Sequence, residues 1–191
     1  MRLEKDPARI RQLARERDEE NWRFRSFLKQ SDMDIEEMDA IVHRIHEEVA
    51  GRIDCTECGN CCRRVLPFLS KTDTERLASG LGISVGELAD RHFEYNEEEE
   101  AFTFNRRPCP FLADDRCSVY EFRPDECRSY PHLHKDEFVF RLMGVVFNYE
   151  ICPIVFNVYE RLKEELWHAP DDLMDEDWSE DGGAWDVVVG D

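Results

Sequence analysis

The stretch Cys55-Thr-Glu-Cys58-Gly-Asn-Cys61-Cys62 decides how this sequence folds, because it holds four of the chain's eight cysteines. A gap of two residues places successive thiolates on one side of a tight loop, where they can bind one metal ion or one cluster. Gly59 allows the backbone to curl beneath such a centre without a Cβ clash. The stretch therefore predicts a cysteine-rich loop that binds metal.

The other four cysteines lie downstream, and two of them, Cys109 and Cys152, precede a proline. Three thiols at two-residue spacing, together with a remote Cys-Pro, are how bacterial ferredoxins hold a four-iron cluster. Zinc sites more often use two separated Cys-x2-Cys knuckles. The pattern favours an iron–sulfur cluster, of the 4Fe–4S type, and leaves zinc as the alternative. The predicted metal ligands are Cys55, Cys58, Cys61, Cys62, Cys109, Cys117, Cys127 and Cys152.

The adjacent pair Cys61-Cys62 raises the question of how many centres there are. Neighbouring side chains diverge, so a single centre would use one thiol and leave the other for a second metal, a redox role or packing. We assign Cys61 to the site of Cys55 and Cys58, since it completes the regular spacing. Cys62 then faces Cys117, Cys127 or Cys152. Eight thiols are enough for two sites of four thiolates each, but the number alone does not show that two sites exist.

Cys152 precedes Pro153, which suits the first turn of a helix. The dipole and free N–H groups at such a helix start stabilise a thiolate, so this position fits a metal ligand or a reactive nucleophile.

Two plainer interpretations of the cysteines are structural burial and disulfide bonding. Free cysteines are often buried, but burial alone does not require the two-residue spacing seen in the Cys55–Cys62 stretch. Residues 1–7 lack the apolar region of a secretory signal, and no window is apolar enough to span a membrane. We therefore expect a cytoplasmic protein, in which reduced thiols are the rule.

The formal net charge of −19 is unevenly distributed. Residues 170–191 contain nine acidic residues and no Lys or Arg. This excess of negative charge argues against binding to nucleic acid or to an anionic membrane, because both require a positively charged surface. A protein partner is compatible with it, but the sequence does not identify one.

The periodicity of the chain predicts a mostly helical α+β domain with a few short strands around the cysteine-rich loop. Helices are expected over 8–28 and 35–50, with a break near residues 30–32 and an end at Gly51, and again over 153–167. Capping boxes at Thr72 and Ser84 open two short helices, which Gly80 and Gly82 separate. Strands are expected at 101–105 and 138–143, with a hairpin turn at 113–116. We divide the chain into N-terminal helices (1–50), a cysteine-cluster metal-binding domain (51–169) and an acidic tail (170–191) with an apolar stretch at 185–189.

The spacing as a whole resembles the YkgJ-like cysteine-cluster family, described as chelating zinc or iron. The resemblance covers about residues 53–165 and rests on the Cys55–Cys62 stretch, Cys109-Pro-Phe-Leu, the segment Cys117-Ser-Val-Tyr-Glu-Phe-Arg-Pro-Asp-Glu-Cys127-Arg, and Cys152-Pro. It implies metal chelation. One relative, the flagellin lysine methylase, carries a similar cysteine domain and suggests an enzyme, but this sequence has no Gly-rich loop after a strand for a nucleotide-like cofactor. An interaction module with a structural zinc is the third hypothesis.

Several other residues have two interpretations. Arg123 and Arg128 order the loop before Cys127, or donate hydrogen bonds to cluster sulfurs. His132 and His134 are solvent-facing loop residues, or replace a thiolate as ligands. His43 and His46 have a spacing that can hold metal, but without an evident carboxylate partner we interpret them as surface residues.

Overall fold

The computed structural model describes residues 2–56 and 58–167. The described helices are α1 Pro7–Glu16, α2 Asp18–Gln30, α3 Ile35–Ala50, α4 Asn60–Arg64, α5 Lys71–Leu81, α6 Val85–His92, α7 Asp125–Ser129, α8 Leu142–Tyr149 and α9 Pro153–Leu166. The strands are β1 Phe68–Leu69, β2 Phe93–Asn96, β3 Ala101–Phe104, β4 Leu112–Ala113 and β5 Arg116–Cys117. The predicted mostly helical α+β class is confirmed.

The larger hydrophobic core is formed by α1, α2, α3, α8 and α9. Apolar residues at helical spacing supply it, among them Phe24 of α2, Ile45 of α3 and Tyr159 of α9, all with no exposed surface. Helix α3 packs along α9. The helices of residues 1–50 therefore share one core with helices that follow the cysteines.

A smaller core lies between the first and last cysteines of the sequence. It joins α5 and α6 to an antiparallel sheet with strand order β1-β3-β2, in which Tyr95 pairs with Phe102. Leu77, Leu88 and Phe104 are its most deeply buried side chains. The cysteine-rich segments lie where the two cores meet, because Cys152 belongs to the larger core while Cys109 and Cys117 pack against the smaller one.

Most of the predicted elements are present. Helix α3 ends at Ala50 as expected, and strand β3 and helix α9 match the predicted strand and the last helix. The break after Gln30 is confirmed, but a second one at Arg17 divides the first helix into α1 and α2.

Two local predictions around α5 are wrong. The helix is capped by Ser70 and not by Thr72: the Ser70 hydroxyl accepts from the N–H of Asp73, and the Asp73 carboxylate accepts from the N–H of Ser70. Gly80 lies inside α5, and Gly82 alone ends it, in a left-handed conformation with φ of 69°. The Ser84 cap is confirmed, since its hydroxyl accepts from the N–H of Glu87.

The strand predicted at 138–143 is also wrong. Residues 138–141 form a 3₁₀ turn that continues into α8. Asp39 of α3, 6% exposed, accepts hydrogen bonds from the N–H groups of Glu137 and Phe138, at 2.6 and 2.9 Å. A carboxylate from a distant helix thus starts this helical segment, a tertiary contact that the local apolar run does not reveal.

The predicted acidic tail at 170–191 lies outside the described residues. Within them, no helix combines the length and the apolar character needed to cross a membrane.

Candidate metal centre

Gly59 gives the Cys55–Cys62 stretch its shape. Its φ is +57°, in the left-handed region that favours glycine, and it leads directly into the short helix α4 that carries Cys61 and Cys62. A Cβ atom at this position would lie 2.7 Å from the carbonyl oxygen of Asp115. The expectation that glycine lets the backbone curl here is confirmed.

Two hydrogen bonds connect this stretch to the two cores. The buried side chain of Asn60 donates to the carbonyl oxygen of Ile151, the residue before Cys152, at 2.6 Å. The N–H of Cys109 donates to the carbonyl oxygen of Cys62 at 2.8 Å. These two bonds bring Cys109 next to the Cys55–Cys62 stretch, and also Cys152, which lies about ninety residues after Cys62 in the sequence.

The predicted hairpin after Cys109 is present as β4 and β5. Asp114 and Asp115 form its turn with φ of 46° and 64°, and Leu112 pairs with Cys117. Arg63 of α4 forms an ion pair with Asp115 and donates to the carbonyl oxygen of Cys58 at 3.1 Å. The hairpin is therefore held against the Cys55–Cys62 stretch.

Cys127 lies on α7, which is attached to α5 by a polar network. Asp73 accepts from the N–H of Asp125 at 2.9 Å, and Arg76 contacts both carboxylates and the carbonyl oxygen of Arg123. The predicted loop-ordering role of Arg123 has direct support: its guanidinium lies 3.6 Å from the Tyr120 ring centroid and donates to the Tyr120 carbonyl oxygen at 2.7 Å.

All eight cysteines line one cavity of about 360 Å³. Cys55 is exposed and Cys152 is buried, while the other six are intermediate. The remaining walls are mainly apolar and include Phe104, Phe111 and Ile154. The structure thus brings every predicted ligand to a single cavity at the junction of the two cores.

Four of these thiols act on one another around Cys62. Burial and then the charges of Cys62, Cys109 and Cys117 together raise the pKa of Cys127 to about 12. Burial likewise raises the pKa of Cys109 to about 11, with Cys62 and Cys117 as charged neighbours. We call Cys62, Cys109, Cys117 and Cys127 the second thiol group.

The other four thiols are Cys152 and three that lie near it. The pKa of Cys152 is raised to about 12, chiefly by burial and to a smaller extent by the charges of Cys58 and Cys55. The N–H groups of Val155 and Ile154 at the start of α9 act in the opposite direction. The predicted influence of the helix start on Cys152 is therefore present, but burial outweighs it. We call Cys55, Cys58, Cys61 and Cys152 the first thiol group.

Cys61 and Cys62 connect the two groups. A hydrogen bond between their side chains raises the pKa of Cys61, which burial raises further, and lowers that of Cys62, which also has Arg63 beside it. Cys61 has Cys152 and then Cys127 as further charged neighbours.

Tyr130 is a residue at this site that the sequence analysis missed. Its hydroxyl donates to Asn148 Oδ1 at 2.7 Å. Burial raises its pKa, and so do the charges of Cys152, Cys61 and Cys58 and a hydrogen-bonding contact with Cys152. Tyr130 therefore borders the first thiol group. Its position three residues after Cys127 was the one signal in the sequence that could have indicated it.

The histidines differ in their relation to the cavity. His132 lines it, contacting Glu126 at 3.2 Å and Ser129 at 3.0 Å. His134 lies instead beside His46 of α3, with ring centroids 6.2 Å apart, and does not line the cavity. His43 contacts the carbonyl oxygen of Lys135 at 3.2 Å.

Across residues 2–56 and 58–167, no three His, Cys, Asp or Glu side chains converge on one point as the ligands of a single ion would. The eight thiols surround a volume and not a point. Thiolates are the ligands of both iron–sulfur clusters and structural zinc, so the donor set fits either group chemically.

Comparison with known proteins agrees with this chemistry. Residues 54–143 match the model of the CxxCxxCC family, whose description reads "Putative zinc- or iron-chelating domain". The matched segment contains seven of the eight cysteines and ends before Cys152. No curated protein and no solved structure matches the chain.

Proposed function

We propose that this chain, which carries the CxxCxxCC zinc- or iron-chelating domain in residues 54–143, holds iron–sulfur clusters in the thiol-lined cavity. The observation that carries the proposal is that all eight cysteines line one cavity. Bound clusters would supply electron-transfer chemistry and crosslinks between the two cores.

The size of the cavity supports clusters over a single zinc ion. Zinc is bound by four donors at about 2.3 Å from sulfur, which leaves no free volume between them. A cavity of about 360 Å³ is far larger than the roughly 10–15 Å³ that is enough to hold one water molecule. Thiols that surround such a volume suit a polynuclear centre better than one ion.

The division into two thiol groups supports two centres of four thiolates each. The Cys109 N–H donates to the Cys62 carbonyl oxygen, and the hairpin that follows Cys109 pairs Leu112 with Cys117, so three members of the second group lie on segments joined directly to each other. Four cysteines are the usual ligand number for an iron–sulfur cluster. We assign one cluster to each group.

Two arginines near the thiols would offset part of the negative charge of metal-bound thiolates. Metal ligation requires deprotonated cysteines, and burial opposes deprotonation at most of these positions. The charge of Arg63 lowers the pKa of Cys62, and the charge of Arg123 lowers those of Cys117 and Cys127. These cations, together with the metal itself, would offset the negative charge of eight thiolates.

Analysis of protein purified without oxygen tests the proposal. We expect brown protein that absorbs near about 400 nm and contains acid-labile sulfide in amounts equal to its iron. Loss of iron on chelation should also remove cooperative unfolding of the region between the two cores. Colourless protein with stoichiometric zinc and no sulfide would contradict the clusters while leaving a metal-binding domain.

A further inference from the structure

The helical segment that starts at Phe138 has an apolar face that nothing in the described structure covers. Phe140, Met143 and Phe147 are 68%, 44% and 61% exposed. They are three and four residues apart, so they form one stripe along the segment. A Cβ atom at Gly144, beside Met143, would have open space around it. The opposite face, by contrast, is buried in the larger core.

Positive charges border this apolar stripe. Trp22 of α2 lies edge-on to Phe147, with ring centroids 6.3 Å apart. The guanidinium of Arg25 lies 5.6 Å from the Trp22 ring centroid, and Lys29 follows one helical turn later. Arg141 lies within the segment itself, where it donates to the carbonyl oxygens of Lys135 and Asp136.

Among the described residues, Arg25, Lys29 and Arg141 form no ion pair, whereas the neighbouring Lys163 is paired with Glu20 and Glu160. The Nε atom of Arg25 is buried and lacks a hydrogen-bond acceptor among the described residues. The border of the apolar stripe thus suits an occupant that is both apolar and acidic.

The chain that continues beyond the described structure has this composition. Residues 168–191 contain Trp178, Trp185 and three consecutive valines at 187–189, together with nine acidic residues and no Lys or Arg. The segment begins next to Trp167, which packs on Phe24 of α2 at 5.5 Å between ring centroids. Its 24 residues could span about 80 Å if fully extended, so reach does not limit where it binds.

We propose that residues 168–191 bind in cis to the apolar stripe, with Trp185 and the three valines against Phe140, Met143 and Phe147. The acidic residues of the segment then neutralise Arg25, Lys29 and Arg141. A second copy of the chain is a poorer occupant, because a two-fold contact would bring these cations against themselves. It would also join two chains that each carry a net charge of −19.

Photo-crosslinking in the full chain tests this proposal. The probe is p-benzoylphenylalanine in place of Phe147, whose exposure lets it be replaced with little effect on packing. We expect irradiation of dilute protein to join α8 to residues 178–189 of the same chain, at monomer mass. The same probe in place of Tyr95, 54% exposed on the smaller core, is the matched control and should give no such link.

A second variant tests whether the crosslink depends on the apolar residues of the segment. Replacing Trp185 and Val188 together by Ser removes much of the apolar area that would be buried, and should lower the yield of this link at least about fivefold. Metal content should stay unchanged, since neither residue is a candidate metal ligand, and circular dichroism checks that the fold is retained. Links between two chains, links only to residues 2–167, or an undiminished yield in the double variant would overturn the proposal.

Discussion

The N–H of Cys109 donates a 2.8 Å hydrogen bond to the carbonyl oxygen of Cys62. This bond joins the end of the Cys55–Cys62 stretch to the hairpin of β4 and β5, and so sets the distance between Cys62 and the thiols of the smaller core. On the other side of the same short helix, Asn60 holds the residue before Cys152. Helix α4 therefore serves both thiol groups at once, although it is only five residues long.

Replacing one cysteine from each group by Ser should remove part of the metal and leave the rest. We expect Cys58→Ser and Cys127→Ser each to lower the iron and sulfide content by about half, because four thiols are the usual complement of one cluster. The melting temperature should fall in both variants, since the clusters crosslink the two cores. Iron and sulfide analysis beside thermal unfolding checks this; unchanged metal in either variant would exclude that cysteine as a ligand.

The neighbours Cys61 and Cys62 allow a sharper test of the division into two groups. Cys61→Ala and Cys62→Ala should lose different clusters, so that their electron paramagnetic resonance spectra after reduction retain different signals. If one centre exists, one variant should lose all metal and the other keep it. Equal loss of the same signal in both variants would refute the assignment of these two residues to separate clusters.

The sequence predicted the parts of this fold that rest on local pattern. Helices α3 and α9 follow apolar residues at helical spacing, and the turn at Asp114 and Asp115 follows residues that tolerate positive φ. It failed at residues 138–143, where aromatic and β-branched residues suggested a strand. Asp39, about one hundred residues earlier in sequence, starts a helical segment there instead, and no local pattern carries that information.

Local sequence pattern was also insufficient to predict how the candidate site is arranged. Cysteine spacing indicated all eight thiols, and the structure places them around one cavity. Which thiols neighbour each other depends on how the two cores meet, through Asn60 and the carbonyl of Cys62, and neither contact is visible in the spacing. Tyr130 was missed for the same reason, because its role depends on contacts with Asn148 and Cys152 that only the folded chain provides.

Gly59→Ala should destabilise the centre. The new Cβ would lie 2.7 Å from the Asp115 carbonyl oxygen, and alanine disfavours the left-handed conformation by about 1–2 kcal/mol before any clash is counted. We expect a lower melting temperature together with reduced iron. Gly86→Ala is the matched control: it lies in helix α6 with open space around it, so stability should stay the same or rise by up to about 1 kcal/mol. Similar losses in both variants would contradict a specific role for Gly59.

Asn60→Ala should weaken the attachment of α4 to the larger core. The variant leaves the Ile151 carbonyl without its 2.6 Å donor, and losing a buried hydrogen bond costs about 1–3 kcal/mol. Denaturant unfolding measures this loss. The control is Asn105→Ala, which removes a 3.1 Å bond to the Arg91 carbonyl at an exposed position and should cost well under about 1 kcal/mol. An effect at Asn60 no larger than the control's would show that the bond does not hold the two parts together.

Tyr130→Phe should alter the redox behaviour of the first cluster without removing it. The hydroxyl donates its single proton to Asn148 Oδ1 and lies beside Cys152; when a cluster is bound it can donate to a cluster sulfur instead, and such a donor stabilises the reduced, more negative state. Its loss should therefore lower the reduction potential, by about 20–60 mV if the bond contributes about 0.5–1.5 kcal/mol. Spectroscopic titration measures the potential, and iron content shows whether the cluster is retained. Tyr120→Phe, whose ring lies against the Arg123 guanidinium, is the control and should leave the potential unchanged. A Tyr130 variant with full iron and an unshifted potential would show that its hydroxyl serves packing and the contact with Asn148 alone.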